Sequence, residues 1–201
     1  MIYILEDLLT PSYHESIYNL AKNHLSYQYT YDTSWEHSEQ PKYLKPDRKV
    51  IDIGQLTCCV FDADLGSKIQ YGWAYEQLKP IFYTVKDRIP ELGILGSNRV
   101  KFNILLQNNF GDHYNQPHVD IEYPSYAMVY YLNDCDGDTV LFNEFFDPNM
   151  RDVELTEHSR ITPKKNSAVI FESNRFHASM NPTKSRDRFV MNWVFWKGNN
   201  E

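Results

Sequence analysis

The apolar positions change period along the chain, and the change divides it into segments. Ile2 to Leu5 form a short apolar run that reads as a strand. Thr10-Pro11-Ser12 is a helix start, with proline in the first turn, where its missing N–H costs nothing. Ile17, Leu20, Ala21 and His24 then recur at helical spacing, so a helix is expected to residue 25. Tyr27, Tyr29 and Tyr31 alternate as in a strand, and Pro41, Pro46 and many charges follow. Residues 26–70 therefore read as one strand and a long irregular loop, the kind that is usually functional or mobile. Over 68–89, Ile69, Trp73, Leu78, Ile81, Phe82 and Val85 make a buried helical stripe, with Pro80 expected to kink or divide it.

From Arg99 onward the period is that of strands. RVKFNILLQN, PSYAMVYYLND, DTVLFNEFF, SAVIFES and RDRFVMNWVFWK are short apolar and aromatic runs. Turn residues separate them: Asn109, Gly111, Asp136-Gly137-Asp138, Pro148-Asn149, Pro163 and Asn166. Such spacing predicts a sandwich, barrel or jelly roll. No repeat, low-complexity tract or Gly/Ser linker interrupts the chain. One domain over residues 1–201 is expected, with a strand, helices and loop to residue 98 and a β core over 99–197.

Composition sharpens this reading. Aromatic residues make up 15% of 201 residues, which suits pleated, half-buried surfaces. The net charge of −7 argues against a nucleic-acid partner, because phosphate affinity comes from clustered Lys and Arg. Cys58, Cys59 and Cys135 are an odd set without a CxxC pair, so a reducing, cytoplasmic setting is expected. Cys58-Cys59 is expected to pack as small buried side chains. No apolar run approaches the length of about 18 residues that a membrane span needs. The start, MIYILEDLLTPSY, carries acids and does not read as a signal peptide.

Four places could carry chemistry. On a strand His118-Val119-Asp120 would put an imidazole and a carboxylate on one face, within reach of one metal ion. The competing reading is a surface pair near a turn. His177 follows the strand SAVIFES, and two histidines with one carboxylate make the facial triad of non-haem Fe(II) sites. Arg188 opens an alternating strand, with Val190, Asn192 and Val194 on its face and Phe189, Met191, Trp193 and Phe195 on the other. Its planar fork matches a carboxylate. The Tyr131 hydroxyl could share that carboxylate, and Tyr130 must then face the opposite way. His113 reads as a loop surface residue, His14, His24, His37 and His158 show no partner pattern, and Asp134, Asp136 and Asp138 read as turn residues.

The order of these parts is G-x-x-Y (Gly111, Tyr114), H-x-D, Y-Y-L-N, an Asp136-Gly137-Asp138 turn, a distal His and an Arg before an alternating strand. It resembles the 2-oxoglutarate and Fe(II)-dependent dioxygenases, most nearly the prolyl-4-hydroxylase-like branch. The resemblance covers residues 99–197, and the opening strand and helix also look like that branch. It implies a double-stranded β-helix, a cupin-like jelly roll that is mainly β with supporting helices. It implies that His118, Asp120 and His177 bind Fe(II), that Arg188 anchors the distal carboxylate of 2-oxoglutarate and that Tyr131 assists. O2 would be the oxidant, ascorbate a supporting reductant, and the reaction hydroxylation of a C–H bond with release of succinate and CO2. The expected substrate is a peptide or protein residue such as proline. Alternatives are a small molecule such as a free amino acid, an iron oxygenase using no 2-oxo acid, and a metal-binding jelly roll without oxygenase activity. The sequence departs from the family pattern in a one-residue longer stretch between Gly111 and His118, in Val190 in place of a small polar residue, and in Asp136-Gly137-Asp138 in place of a paired-glycine turn. Arg186 is a fallback for the anchoring cation. Tyr27, Tyr29, Tyr31 and Trp35, with the polar 36–50 stretch, are read either as a lid over the cleft or as packing at a sheet edge.

Overall fold

A computed structural model describes residues 1–32, 44–45, 47, 49–65, 71–123 and 125–198. Ten strands and two α-helices appear in these residues, with a 3-10 turn at Pro90–Leu92: β1 (Ile2–Leu5), α1 (Pro11–Asn23), β2 (Gln28–Thr30), β3 (Gln55–Asp62), α2 (Gly72–Arg88), β4 (Ile94–Leu106), β5 (Tyr126–Tyr131), β6 (Thr139–Phe145), β7 (Glu157–Ile161), β8 (Ser167–Glu172), β9 (Arg175–Ser179) and β10 (Asp187–Lys197). The large sheet runs β1-β8-β5-β10-β4-β3-β2 and the small one β7-β6-β9, with antiparallel pairing between neighbouring strands. This is a mainly β, jelly-roll-like fold with supporting helices, as the motif order implied.

The helices cover one face of the large sheet. Ile17, Leu20 and Ala21 of α1 and Leu78, Ile81 and Val85 of α2 share a core with Phe102, Tyr130, Phe189, Met191, Trp193 and Phe195. The indole of Trp193, fully buried, donates to Ser97 Oγ at 2.9 Å, which satisfies its one polar atom. The other face of the large sheet turns toward the small one, where Ala127, Val129, Tyr131, Val169, Phe171 and Val190 meet Leu141 and Ile161. β10 is therefore covered on both sides, and it reads as an almost continuous apolar run.

Several expectations are corrected. The 26–70 stretch holds a second strand, β3, whose Gln-Leu-Thr-Cys-Cys composition hides the alternation. Only Cys58 of the cysteine pair is buried; Cys59 faces the other way and is partly exposed. The strands β7 and β9 lie outside the five runs read from the sequence. Helix α2 continues through Pro80, and Trp73 lies half exposed, its place in the stripe taken by Ala74. His24 is exposed and lies just past the end of α1, capping it, and Leu25 is buried instead. His14 does have a partner, since its Nδ1 lies 2.6 Å from the Tyr130 hydroxyl. Tyr29 and Tyr31 are exposed, while Tyr27 packs on the core. Trp35, Ile69, Pro41 and Pro46 lie outside the described residues, as does much of the proposed lid.

Candidate metal centre and co-substrate pocket

The two histidines are brought together by backbone pairing. His118 N donates to His177 O and His177 N donates to His118 O, each at 2.9 Å, so a single bridge fixes the pair. This corrects the placement of His118-Val119-Asp120 on a strand: the segment is a loop stitched to β9, with Asp120 N donating to Ser173 O at 3.0 Å. The rings of His118 and His177 stand with centroids 4.4 Å apart. Potential ligand atoms of His118, Asp120 and His177 lie within 4.8 Å of one another.

Each imidazole is oriented from behind. His118 Nδ1 lies 3.1 Å from the Gln116 carbonyl and His177 Nδ1 lies 3.1 Å from the Arg175 carbonyl. Both Nδ1 atoms must therefore carry the proton, which leaves each Nε2 lone pair for a ligand. His177 Nε2 is 3.5 Å from Asp120 Oδ2, and Arg99 donates to Asp120 Oδ1 at 2.8 Å. One carboxylate oxygen is thus engaged by arginine and the other faces the imidazoles. Burial pushes the His118 pKa down to about 3, helped by the charge of His177, and burial also lowers His177. Burial opposes ionisation of Asp120, yet His177 and Arg99 outweigh it and hold the carboxyl at about 2. Two neutral imidazoles and one carboxylate are the donor set that suits non-haem Fe(II) and leaves further positions open, so the residues fit that ion.

A cavity partly open to solvent is lined by His118, His177, Lys101, Asn103, Thr139 and Arg188, among others. Arg188 is 3% exposed, and burial lowers its pKa. Its Nε donates to Gly137 O at 2.9 Å and its Nη2 to Thr139 Oγ1 at 2.7 Å. Among the described residues it makes no ion pair with a carboxylate. Tyr131 is fully buried under the guanidinium and donates to the same Thr139 Oγ1 at 2.8 Å. Tyr131 thus reaches the pocket only through Thr139, whose hydroxyl proton is left free to donate. Arg186 is exposed and does not line the cavity.

Sequence reasoning missed Arg99, Lys101, Asn103 and Thr139, and it placed Asn192 on the face of Arg188 without giving it a part in the site. A signal was present in β4: Arg99, Lys101 and Asn103 alternate with the buried Val100 and Phe102, so one face is polar in a strand covered on both sides.

The sequence profile of the 2OG-Fe(II) oxygenase superfamily matches residues 104–196, a span that includes His118, Asp120, His177 and Arg188. No curated protein matches the sequence. Among solved structures, a 2OG-Fe(II) oxygenase family oxidoreductase from Burkholderia pseudomallei is similar at 12% identity, over 98% of this chain and 86% of that one, with a TM-score of 0.63. A prolyl-4-hydroxylase from Pseudomonas putida is similar at 14% identity, over 98% and 93%, with a TM-score of 0.51. The epimerase SnoN, solved with Fe3+, alpha ketoglutarate and nogalamycin RO, is similar at 12% identity, over 98% and 78%, with a TM-score of 0.53. These structural likenesses bear on the fold, and the sequence profile bears on the family. Residues 104–196, which carry His118, Asp120, His177 and Arg188, match the 2OG-Fe(II) oxygenase superfamily, a family that is Fe(II)- and 2-oxoglutarate-dependent, and a prolyl-4-hydroxylase is among the solved structures of similar fold.

Proposed function

We propose that residues 1–201 act as one oxygenase domain in which His118, Asp120 and His177 hold Fe(II), and Arg188 with Thr139 holds the distal carboxylate of 2-oxoglutarate. The reaction is hydroxylation of a substrate C–H bond, with release of succinate and CO2. The observation that carries this reading is Arg188, a buried guanidinium with no carboxylate of its own in the cavity that the two histidines also line. A buried cation is costly unless paired, and a dicarboxylate with one end on a metal supplies the missing partner.

The bound ion and co-substrate supply the oxidising chemistry. The protein's part is binding and orientation. The carbonyls of Gln116 and Arg175 keep both Nε2 atoms available, and Arg99 leaves one oxygen of Asp120 for the ion. Thr139 is aimed by two donors, Arg188 and Tyr131, so that its own proton points at a ligand rather than at the protein. Val129, Leu105 and Ala178 supply the apolar part of the cavity lining and limit water there. The likeness to a prolyl-4-hydroxylase supports a peptide or protein residue, with proline first to be tested, while SnoN was solved with nogalamycin RO on a similar fold.

The test is succinate release from 2-oxoglutarate with Fe(II), ascorbate and O2. His118→Ala is expected to abolish it. Arg188→Ala should raise the 2-oxoglutarate KM about tenfold to a hundredfold, the range expected for losing charge-assisted hydrogen bonds. A protein that binds neither Fe(II) nor 2-oxoglutarate in calorimetry would sink the reading.

A further inference from the structure

Lys101 has no role in this scheme. It lies in the middle of β4, opposite Asn192 of β10 and Cys59 of β3, and it lines the cavity with both asparagines, Asn103 and Asn192. Among the described residues its ammonium has no hydrogen bond or ion pair. The nearby carboxylate, Asp120, is already committed, with Oδ1 to Arg99 and Oδ2 facing the imidazoles. Asn103 is 6% exposed, and among the described residues the amide NH2 groups of Asn103 and Asn192, the donors a carboxylate needs, make no hydrogen bond, while their Oδ1 atoms are buried without a partner. Three polar side chains thus meet at one place with their hydrogen-bonding capacity unspent.

Their place separates them from the Arg188 end. Arg188 pairs across the sheet with Leu105, four residues along β4 from Lys101, which is about 13 Å at strand rise. Lys101 lies on the same face of β4 as Arg99, two residues away, and Arg99 donates to Asp120, so Lys101 belongs to the metal end of the cavity. Charge sharpens the point. With the ion and 2-oxoglutarate in place, the cations are Arg99, Lys101, Arg188 and the doubly charged metal. The anions are Asp120 and the two carboxylates of the co-substrate, one taken by Arg188 and one by the metal. Positive charge remains in excess, and it is Lys101 that lacks a counter-ion.

We propose that Lys101, Asn103 and Asn192 form a second carboxylate subsite, which binds the substrate by an acid group close to the carbon that reacts. The proposal rests on the functional reading above and names its substrate class: a free amino acid, held by its α-carboxylate, or a peptide with an acidic side chain beside the target residue.

The experiment uses protein loaded with Mn(II), which binds such sites without turnover, and with 2-oxoglutarate. It is titrated calorimetrically with the free amino acids, each beside its amide, and with acetylated, amidated Pro-Asp beside Pro-Asn. The acid of at least one pair should bind about tenfold or more tightly than its neutral partner, the range for a charge-assisted hydrogen bond. Which pair responds identifies the source of the carboxylate. Lys101→Met should bring the two members of that pair within about twofold. It should leave Mn(II) and 2-oxoglutarate affinities and the circular dichroism spectrum unchanged. Acids and amides that bind alike, or no binding by any pair at millimolar concentration, would overturn the proposal. So would a tenfold loss of 2-oxoglutarate affinity in Lys101→Met, which would give Lys101 to the co-substrate. Failure of the wild type to take up Mn(II) and 2-oxoglutarate at all is a different result: it removes the functional reading and this inference with it.

Discussion

At Gly137 an added Cβ would lie 2.5 Å from the Met180 carbonyl oxygen and 3.1 Å from Arg188 Cδ. The turn at Asp136-Gly137-Asp138 therefore keeps glycine where the backbone must touch Arg188, the proposed anchor, and Gly137 O holds its Nε. Asp136, one residue earlier, accepts from the backbone N–H groups of Thr183, Lys184 and Ser185 and from the Thr183 hydroxyl, which fastens the loop leading to Arg188. Gly137→Ala is predicted to weaken 2-oxoglutarate binding about tenfold and to cost about 1–3 kcal/mol of stability, the usual cost of overpacking. Mn(II) affinity should be unchanged, because the triad stands on other segments. Calorimetry of both ligands checks this, and equal loss of both would contradict it. The aspartates of this turn were legible as turn residues, but not what they tie down, since Thr183 to Ser185 are distant in sequence.

Strand β5 carries the two tyrosines whose opposite directions follow from its period of two. Tyr131 faces the cavity side. Tyr130 faces the helices, where its hydroxyl donates to Asn166 Oδ1 at 2.9 Å and lies 2.6 Å from His14 Nδ1. Asn166, in a left-handed turn with φ 61°, also accepts from Leu9 N and donates to Leu9 O, so one side chain joins β5, the β7–β8 turn and the start of α1. Tyr130→Phe leaves a buried histidine without its partner and should cost about 1–3 kcal/mol, read from the urea midpoint. Metal affinity should not move, because Tyr130 is on the far face of the sheet. Elements with a clear apolar period (α1, β4, β5, β8 and β10) were legible. β3, β7 and β9 were not, because Gln-Leu-Thr-Cys-Cys, Glu-His-Ser-Arg-Ile and Arg-Phe-His-Ala-Ser carry too few apolar residues on one face to announce a strand. Their pairing with apolar neighbours makes them strands.

Across the molecule, burial lowers the pKa of three histidines: His14, His118 and His177. With folded pKa values below the unfolded value of about 6.5, the unfolded chain binds more protons just below that pH. Metal-free protein should therefore lose stability as pH falls from about 7 to 5. Asp120 and Asp136, held low in the folded state, add a further loss only below about pH 4. Urea midpoints against pH check this, with the upper limb flattened in His118→Gln/His177→Gln. A flat profile in the wild type would refute it. The same histidines show what each level of organisation decides. The order of H-x-D, distal His and Arg resembles one family and, with the apolar periods, pointed to the jelly-roll core; it also singled out His118, Asp120, His177 and Arg188 as candidates, because local spacing and residue chemistry are properties of the chain itself. Only the tertiary structure decided that His118 is locked to β9 by a backbone bridge, that Tyr131 donates to Thr139, that Arg99 reaches Asp120, and that Lys101 and Asn192 line one cavity. Those are contacts between segments far apart in sequence, and pairing register and burial, which no local pattern encodes, bring them together.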